Sequence, residues 1–266
     1  MDTTELFSLK GRTALITGGS RGIGKMIAEG FLAQGARVYI SSRKAAACDQ
    51  TAAELSKRGG TCVSLPMDVS TVDGARGLAK AYAARESSLD ILVNNAGAAW
   101  LAAFDDFPEK GWDKVVDLNV KAPFFVTQAL AGPLRAAARA DRPAKVINIA
   151  SIDGIYLTPN ETYSYAASKS GLIQLTRLLA ARLIKDHIVV SAIAPGPFAS
   201  DMNIMARDHE ADTAAFVPAR RIGTDLDMAG AAIFLASRAG DYVVGSVITV
   251  DGGLAFAAGP SRAIPL

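Results

Sequence analysis

Two side chains that can share a proton, Tyr165 and Lys169, stand four residues apart in the sequence. In a helix this spacing places both of them on one face, about one turn apart. An ammonium beside a phenol favours the phenolate and lowers the pKa of the phenol from its ordinary value near 10. We therefore expect Tyr165 to serve as a general acid or base close to neutral pH. On spacing alone, an ordinary exposed helix pair would be the better interpretation, so the surroundings have to decide.

A serine hydroxyl is the next candidate. Ser151 directly follows the apolar run Lys145–Ala150, which is predicted to be a buried strand. Open α/β sheets bind their ligands at the carboxyl ends of strands. There the hydroxyl can donate a hydrogen bond to a substrate oxygen and stabilise the charge that develops on it. Together with Tyr165 and Lys169, Ser151 predicts a site that can protonate a substrate oxygen and stabilise charge on it.

The elements that position these groups alternate along the chain. Apolar, β-branched runs recur between longer amphipathic stretches, as expected of strands that are covered on both faces. The predicted strands are Thr13–Thr17, Arg37–Ser42, Thr61–Pro66, Leu89–Asn94, Lys145–Ala150, Ile188–Ala194 and Val247–Val250. The predicted helices are Ile23–Gln34, Ala45–Arg58, Gly74–Arg85, Trp112–Arg139, Tyr165–Lys185 and Asp227–Ser237. We expect one α/β domain over residues 1–266: a Rossmann-like, doubly wound, seven-stranded parallel sheet with helices on both faces.

A glycine-rich turn joins the first predicted strand to the first long helix. The segment Thr17–Gly24 reads TGGSRGIG, so its glycines are spaced G-x-x-x-G-x-G. Glycines here let backbone N–H groups approach a pyrophosphate, and the start of the helix adds a favourable dipole. A plain tight turn would give the same pattern, but the position between strand and helix favours nucleotide binding.

The end of the second predicted strand indicates which nucleotide binds. An NAD site carries Asp or Glu about 20 residues after the glycines, where it accepts a hydrogen bond from the ribose. Here Ser41, Ser42, Arg43 and Lys44 occupy that place. A guanidinium can bind the 2′-phosphate of NADP with two hydrogen bonds, and Arg21 in the glycine turn can add a second charge. We therefore predict NADP(H), although Arg43 could simply begin a solvated helix.

Seven motifs in order resemble those of the short-chain dehydrogenase/reductase family. They are TGxxxGxG at Thr17–Gly24, NNAG at Asn94–Gly97, Asn119, Ser151, YxxxK at Tyr165–Lys169, Pro195-Gly196, and VDGG at Val250–Gly253. The resemblance covers nearly the whole chain and is closest to the 3-oxoacyl-[acyl-carrier-protein] reductase-like group, including the branch associated with rhamnolipid synthesis. It implies Ser151, Tyr165, Lys169 and Asn119 as catalytic residues, with Lys169 also holding the nicotinamide ribose.

The resemblance also implies a cofactor site, which we combine with the residues that the glycine turn and the second strand indicate. The predicted cofactor-binding residues are Gly18, Ser20, Arg21, Gly22, Ile23, Gly24, Ser42, Arg43, Asp68, Val69, Asn94, Ala96, Gly97, Tyr165, Lys169, Pro195, Gly196, Phe198 and Ser200. Asp68 could instead serve as a carboxylate at a helix start near Ser70. Asn95 is expected to brace the sheet. Phe198 is expected to contribute its main-chain N–H, because Pro197 has none.

Asn119 also has a local argument. Pro123 lies four residues later and has no N–H, so the carbonyl of Asn119 loses its helical hydrogen-bond partner. The family uses this position to hold a water in a proton relay towards the lysine, and a freed carbonyl suits that role. A simple proline kink is the alternative.

Composition excludes several functional classes. Lys and Arg number 28 against 26 Asp and Glu, a net charge of +2, which gives no strong field towards nucleic acid or an anionic membrane. No apolar run approaches the roughly 18 residues of a membrane helix, and Met1–Gly11 lacks the apolar stretch of a signal peptide. Cys48 and Cys62 form no CxxC, and His187 and His209 are far apart, so we expect a cytoplasmic protein without a metal site.

The substrate is the least constrained prediction. Apolar residues in Ala98–Trp100, Ile152–Leu157 and the unassigned segment Phe198–Arg221 favour a ketone with a hydrocarbon portion over a sugar. The segment 198–221 is expected to be a substrate-binding loop or a lid. A 3-oxoacyl thioester carried on acyl carrier protein or coenzyme A fits this reading. The alternatives are an alcohol or polyol dehydrogenase and a catalytically silent dinucleotide-binding sensor.

Quaternary structure follows from the resemblance alone. Family members are commonly tetramers joined through the long helices that match Trp112–Arg139 and Tyr165–Lys185 and through the last strand. We therefore expect a homotetramer or homodimer, with Leu254–Leu266 completing the contact.

Overall fold

The computed structural model describes residues 3–158 and 160–257, so part of the expected contact segment 254–266 lies outside the described residues. The strands are β1 (Thr13–Thr17), β2 (Arg37–Ser41), β3 (Thr61–Ser64), β4 (Ile91–Asn94), β5 (Ala144–Ile149), β6 (Ile188–Pro195) and β7 (Val247–Val250). The α-helices are α1 (Thr3–Leu6), α2 (Gly22–Ala33), α3 (Ala45–Lys57), α4 (Val72–Ala83), α5 (Glu109–Val116), α6 (Ala122–Ala129), α7 (Ala131–Ala137), α8 (Tyr163–Leu183), α9 (Ile204–Asp208), α10 (Glu210–Phe216) and α11 (Asp225–Ala236).

The described strands form one parallel sheet in the order β3-β2-β1-β4-β5-β6-β7, which confirms the predicted fold class. The order changes direction at β1, whose neighbours are β2 and β4. In doubly wound sheets this switch point opens a crevice at the carboxyl ends of the strands. The ends of β1, β4, β5 and β6 therefore define where a ligand can bind.

Successive residues of each strand point to opposite faces, and each face has its own apolar core. Ala14 and Ile16 of β1 pack in the core that α2, α3 and α11 cover, where Phe31 and Met228 are fully buried. Leu15, between them, packs in the opposite core, which includes residues of α4, α6, α7 and α8. The nearly continuous apolar strands follow from this double burial.

The segment predicted as one helix, Trp112–Arg139, is interrupted. Between α5 and α6 a wider π turn spans Asp117–Lys121, where the N–H of Ala122 donates to the carbonyl oxygen of Asp117 five residues earlier. Pro123 lies in the first turn of α6 and Pro133 in the first turn of α7, positions that tolerate a missing N–H. The prolines thus divide the segment into three short α-helices.

The segment 198–221, which the sequence left unassigned, contains α9 and α10. Both helices are short, and most of their side chains are exposed. None of the helices in the described part of the chain is long and apolar enough to cross a membrane.

Candidate active site

The glycine turn follows β1 at the switch point, and α2 begins at Gly22. Gly18 and Gly22 have positive φ angles of 67° and 51°, a conformation that favours glycine. A Cβ at Gly24 would overlap the carbonyl oxygen of Gly18 and lie 2.5 Å from the Nδ2 of Asn95. Among the described residues, no side chain caps the start of α2, so its first N–H groups face the turn. This geometry fits a pyrophosphate.

The loop after β4 is tied to the glycine turn. The Nδ2 of Asn95 donates to the carbonyl oxygens of Thr17 and Gly18, each at 3.0 Å. The hydroxyl of Thr17 accepts from the N–H groups of Asn95 and Ala96 at 3.0 and 3.1 Å. Asn95 thus has the bracing role that the sequence predicted: it holds the loop after β4 against the glycine turn.

The residues expected at the adenine end of a cofactor lie at the ends of β2 and β3. Arg43 is exposed, while the hydroxyl of Ser42 donates to the carbonyl oxygen of Lys44 at 3.4 Å. Asp68 is exposed and accepts from the N–H of Ser70 at 3.0 Å, the local role named as its alternative. The N–H of Met67 donates to the carbonyl oxygen of Ser42, so the two loops are adjacent.

Arg21, predicted to add positive charge for a phosphate, is already paired. Its guanidinium lies 2.6 Å from the carboxylate of Asp201, which follows β6. A Cβ placed on Gly22 would lie 3.3 Å from the Cβ of Ser200, so the segment after β6 sits directly against the glycine turn. This segment therefore borders the glycine turn.

The three catalytic candidates come together at the end of β5. Ser151 lies two residues after the strand and hydrogen-bonds the phenol of Tyr165 from α8. One turn further along α8, the Nζ of Lys169 lies 5.5 Å from the centre of the Tyr165 ring. Lys169 is only 5 % exposed, and its Nζ donates to the carbonyl oxygen of Ile149 at 2.7 Å. The last bond explains how an ammonium is kept inside the site.

The expected lowering of the tyrosine pKa is wrong for this structure. Burial raises the pKa of Tyr165 to about 12, the hydrogen bond from Ser151 opposes this rise, and the charge of Asp153 adds to it. Burial also lowers the pKa of Lys169 to about 8, while the charge of Asp153 opposes that change. Loss of hydration is the largest effect on both groups, so the phenol keeps its proton at neutral pH.

Asn119 lies in the π turn and is 1 % exposed. Its Oδ1 accepts from the N–H of Ala98 at 2.8 Å, and its Nδ2 donates to the carbonyl oxygen of Ala98 and to the hydroxyl of Ser168. A Cβ on Gly97 would lie 3.2 Å from this Oδ1 and 3.8 Å from the Nζ of Lys169. Asn119 therefore positions the loop after β4 beside Lys169. The irregular helix predicted from the proline is present as a π turn, a feature frequent at functional sites.

Three of the predicted cofactor-binding residues have side chains in the interior. Val69 and Phe198 are buried in the apolar cores, and the ring of Phe198 fills the space beside Gly223. Asn94 is 3 % exposed. Because these side chains are buried, their main-chain atoms are what remain available for the predicted contacts.

Asn94 instead belongs to a buried polar chain beneath the site. Its Nδ2 donates to the hydroxyl of Thr127 in α6 at 3.0 Å and to the Oδ1 of Asn148 in β5 at 2.9 Å. The Nδ2 of Asn148 donates in turn to the hydroxyl of Thr176 in α8 at 2.9 Å. The chain links two helices through the sheet and satisfies the buried Nδ2 groups of both asparagines, whereas the Oδ1 of Asn94 has no partner among the described residues.

The remaining candidates follow the carboxyl end of β6. Gly196 packs so closely on Asp251 that a Cβ would lie 2.7 Å from its Cα, and its N–H donates to the carbonyl oxygen of Val250. The hydroxyl of Ser200 accepts from the N–H of Asn203 at 3.1 Å. Gly196 is thus needed for the close packing between the ends of β6 and β7.

Sequence reasoning missed two residues of the site. Asp153, two positions after Ser151, is hydrogen-bonded to that serine and acts electrostatically on Tyr165 and Lys169. Asp201 pairs with Arg21. Neither belongs to a recognisable motif, and the only signal was that each is a carboxylate within a predicted ligand-binding segment.

Comparison with known proteins places the chain among relatives of similar length. A family model described as "Enoyl-(Acyl carrier protein) reductase" matches residues 18–255. The rhamnolipids biosynthesis 3-oxoacyl-[acyl-carrier-protein] reductase of Pseudomonas aeruginosa is 50% identical over 251 residues, which are 93% of this chain and 97% of that protein. The 2-dehydro-3-deoxy-D-gluconate 5-dehydrogenase of Dickeya dadantii is 38% identical over 93% of this chain and 96% of that protein.

The fold has equally similar solved counterparts. The Pseudomonas aeruginosa RhlG/NADP active-site complex superposes with a TM-score of 0.92 at 48% sequence identity, over 95% of this chain and 99% of that chain. The family model, the relatives and the solved structure agree with the resemblance that the seven motifs indicated. The chain belongs to the short-chain dehydrogenase/reductase family.

Proposed function

We propose that this chain is an NADPH-dependent reductase that converts a ketone to a secondary alcohol, and that its substrate is a 3-oxoacyl thioester. The observation that carries the proposal is the meeting of Ser151, Tyr165 and Lys169 at the end of β5, beside the glycine turn. A protein that only binds a dinucleotide has no need of a phenol and an ammonium at this place.

The residues at the ends of β2 and β3 support NADP over NAD. The strand β2 ends at Ser41, and Ser42 and Arg43 follow where an NAD enzyme carries a carboxylate. The exposed Arg43 can pair with a 2′-phosphate, and a solved relative is an NADP complex. The glycine turn and the uncapped start of α2 hold the pyrophosphate.

The side chains divide the chemistry between them. NADPH, when bound, supplies a hydride to the carbonyl carbon. Tyr165 gives its proton to the carbonyl oxygen, since burial keeps the phenol protonated at neutral pH. Ser151 donates a hydrogen bond to the same oxygen and stabilises its developing charge. Lys169 places a positive charge behind the phenol and is fixed there by the carbonyl oxygen of Ile149.

Exposed apolar side chains support an acyl substrate. Leu157 is 83% exposed on the segment between Ser151 and Tyr165, and Phe216 is 68% exposed on the segment after β6. Met205, on the same segment, is also exposed. A hydrocarbon chain can cover such side chains, whereas a sugar needs more polar partners. Because a relative reduces a 3-oxoacyl group on acyl carrier protein, we propose that a carrier protein or coenzyme A presents the substrate.

The alternative of a polyol or sugar-acid dehydrogenase draws on the 38% identical gluconate-type relative. The test mixes the protein with NADPH and a panel of 3-oxoacyl thioesters, simple ketones and keto sugar acids, and follows nicotinamide absorbance. We expect turnover of the thioesters. Turnover confined to sugar acids or polyols would support the alternative, and cofactor binding without any turnover would support a sensor.

Two further proposals concern the setting of the protein. Trp112 on α5 and Leu178 on α8 are exposed apolar residues on helices expected to join subunits, which supports a homotetramer or homodimer. Sedimentation of the purified protein tests this. Cys48 and Cys62 are buried free thiols, which supports a reducing cytoplasm.

A further inference from the structure

Asp153 is an ionisable residue of the site for which the proposed chemistry has no use. It lies in the short 3-10 helix Ile152–Gly154, directly after Ser151. The Oγ of Ser151 accepts from the N–H of Asp153 at 3.2 Å, and the carboxylate lies close enough to the serine hydroxyl to interact with it. The carboxylate therefore stands beside the hydroxyl that must contact the substrate oxygen.

The turn that carries Asp153 is fixed against α8. A Cβ on Gly154 would lie 2.7 Å from the carbonyl carbon of Lys169, so the two backbones touch. The hydroxyl of Ser170 donates to the carbonyl oxygen of Gly154 at 3.0 Å. Because the same helix carries Tyr165, the position of Asp153 relative to the reacting groups is set by the fold.

Asp153 is an ionisable group of the site that is partly exposed and acts electrostatically on both Tyr165 and Lys169. Asp153 is partly exposed, whereas Lys169, the cation that faces it, is buried and held by the carbonyl oxygen of Ile149. Tyr165, the other titratable group at this place, is uncharged while it keeps its proton. A substrate that approaches Ser151 and Tyr165 therefore meets a carboxylate.

We propose that Asp153 determines specificity by selecting ketones that carry no negative charge near the carbonyl group, such as esters and thioesters of 3-oxo acids, over the free 3-oxo acids. The inference rests on the proposed function and narrows its substrate class. In a free 3-oxo acid the carboxylate is two bonds from the reacting carbon, so binding at Ser151 brings it close to Asp153. Like charges about 6 Å apart in a partly solvated cleft repel enough to change kcat/KM about tenfold.

The test compares acetoacetate with ethyl acetoacetate, which share the reacting skeleton and differ by one charge. We expect the wild type to prefer the ester, and Asp153→Asn to reduce this preference about tenfold by raising kcat/KM for acetoacetate. Asp73→Asn is the matched control, because it removes one negative charge from an exposed position in α4. We expect it to leave the preference unchanged.

A second readout needs no turnover. Dissociation constants of the two ketones are measured for the protein with oxidised NADP, which cannot reduce them, using tryptophan fluorescence. Asp153→Asn should tighten acetoacetate binding about tenfold relative to the ester. In the wild type, added salt should raise the relative affinity for acetoacetate, a result that requires no variant to fold.

An unchanged preference in Asp153→Asn, or a wild-type preference that salt does not alter, would overturn the proposal. Failure of the proposed function looks different, because neither ketone would then be reduced while the binding comparison still reports on Asp153.

Discussion

The guanidinium of Arg21 and the carboxylate of Asp201 form an ion pair at 2.6 Å that joins the glycine turn to the segment after β6. The pair is well exposed, with 68% of the Arg21 side chain and 52% of the Asp201 side chain accessible. Asp201 also lies 3.0 Å from the guanidinium of Arg207 in α9. Arg21, which we expect to contact a phosphate, is therefore already paired with a carboxylate of the same chain, that of Asp201.

From this pairing we expect Asp201→Asn to tighten NADPH binding, because Arg21 no longer divides its charge. Exposed ion pairs contribute about 0–1 kcal/mol, so the gain should be up to about fivefold in Kd, measured by fluorescence of bound NADPH. Asp208→Asn is the control, because Asp208 pairs with Arg207. In an Arg21→Gln background, Asp201→Asn should have no effect. A gain that persists there would contradict the shared-arginine interpretation.

Cofactor preference should depend on the residues after β2. The double substitution Ser42→Asp and Arg43→Gln removes a cation and adds a carboxylate that repels a 2′-phosphate but can accept from a ribose hydroxyl. We expect the ratio of kcat/KM for NADPH over NADH to fall about tenfold to a hundredfold. Steady-state kinetics with both cofactors measure this ratio. An unaltered ratio would mean that other residues select the cofactor.

Tyr165→Phe should abolish proton donation while leaving the cofactor site intact. We expect kcat for ketone reduction to fall at least about a hundredfold and the Kd of NADPH to change little. Tyr163→Phe is the matched control, because the hydroxyl of Tyr163 donates to Glu161 at 2.9 Å and its ring packs on Phe104 and Phe107. Full activity in Tyr165→Phe would remove this residue from the mechanism.

The buried Lys169 should make stability depend on pH in a defined window. Its pKa is lowered by burial from 10.5 to about 8, so between these values the unfolded chain binds more protons than the folded chain. Stability must then rise with pH across this window. Relative to Lys169→Met, the wild type should gain up to about 3 kcal/mol in its free energy of unfolding between about pH 8 and pH 10.5. Urea titrations over this range measure the difference, and a flat difference would show that the folded-state pKa of Lys169 is unperturbed.

Two glycines in helices should respond oppositely to alanine. At Gly24 a Cβ would overlap the carbonyl oxygen of Gly18, so Gly24→Ala should distort the turn, destabilise the fold and weaken NADPH binding. At Gly230 in α11 a Cβ meets nothing within 4 Å among the described residues, so Gly230→Ala should stabilise by about 0.5–1 kcal/mol. Thermal unfolding and NADPH titration of both variants provide the comparison. A destabilised Gly230→Ala would contradict this account of the helix.

The architecture followed from the sequence because burial on both faces leaves a strong signal. All seven predicted strands are present within the described residues, with ends displaced by at most two residues. The prediction of one helix over Trp112–Arg139 was wrong. Apolar periodicity continues through Pro123 and Pro133, and it does not show where an α-helix is interrupted or changes to a π turn. The helices α9 and α10 escaped prediction because they have only 5 and 7 residues, too few for a helical period to show in the sequence.

The site could be predicted as a set of residues but not as an electrostatic environment. The spacing correctly predicted that Tyr165 lies near Lys169. The predicted lowering of the Tyr165 pKa was wrong, because the sequence does not show how much hydration the phenol loses on burial. The sequence also did not show that the amide of Asn94 bonds to Asn148 in the interior, which leaves its main chain for the predicted cofactor contact. Asp153 and Asp201 became visible only through their partners.

The buried polar chain from Asn94 through Asn148 to Thr176 has a consequence for motion. Apolar surfaces can slide past one another at little cost. A helix that is hydrogen-bonded to a sheet through side-chain amides cannot shift by one residue without leaving a buried donor unpaired. Helix α8, which carries Tyr165 and Lys169, is thus fixed in register against β5. The place of the proton donor relative to the end of β5 is therefore set by hydrogen bonds in the interior of the protein.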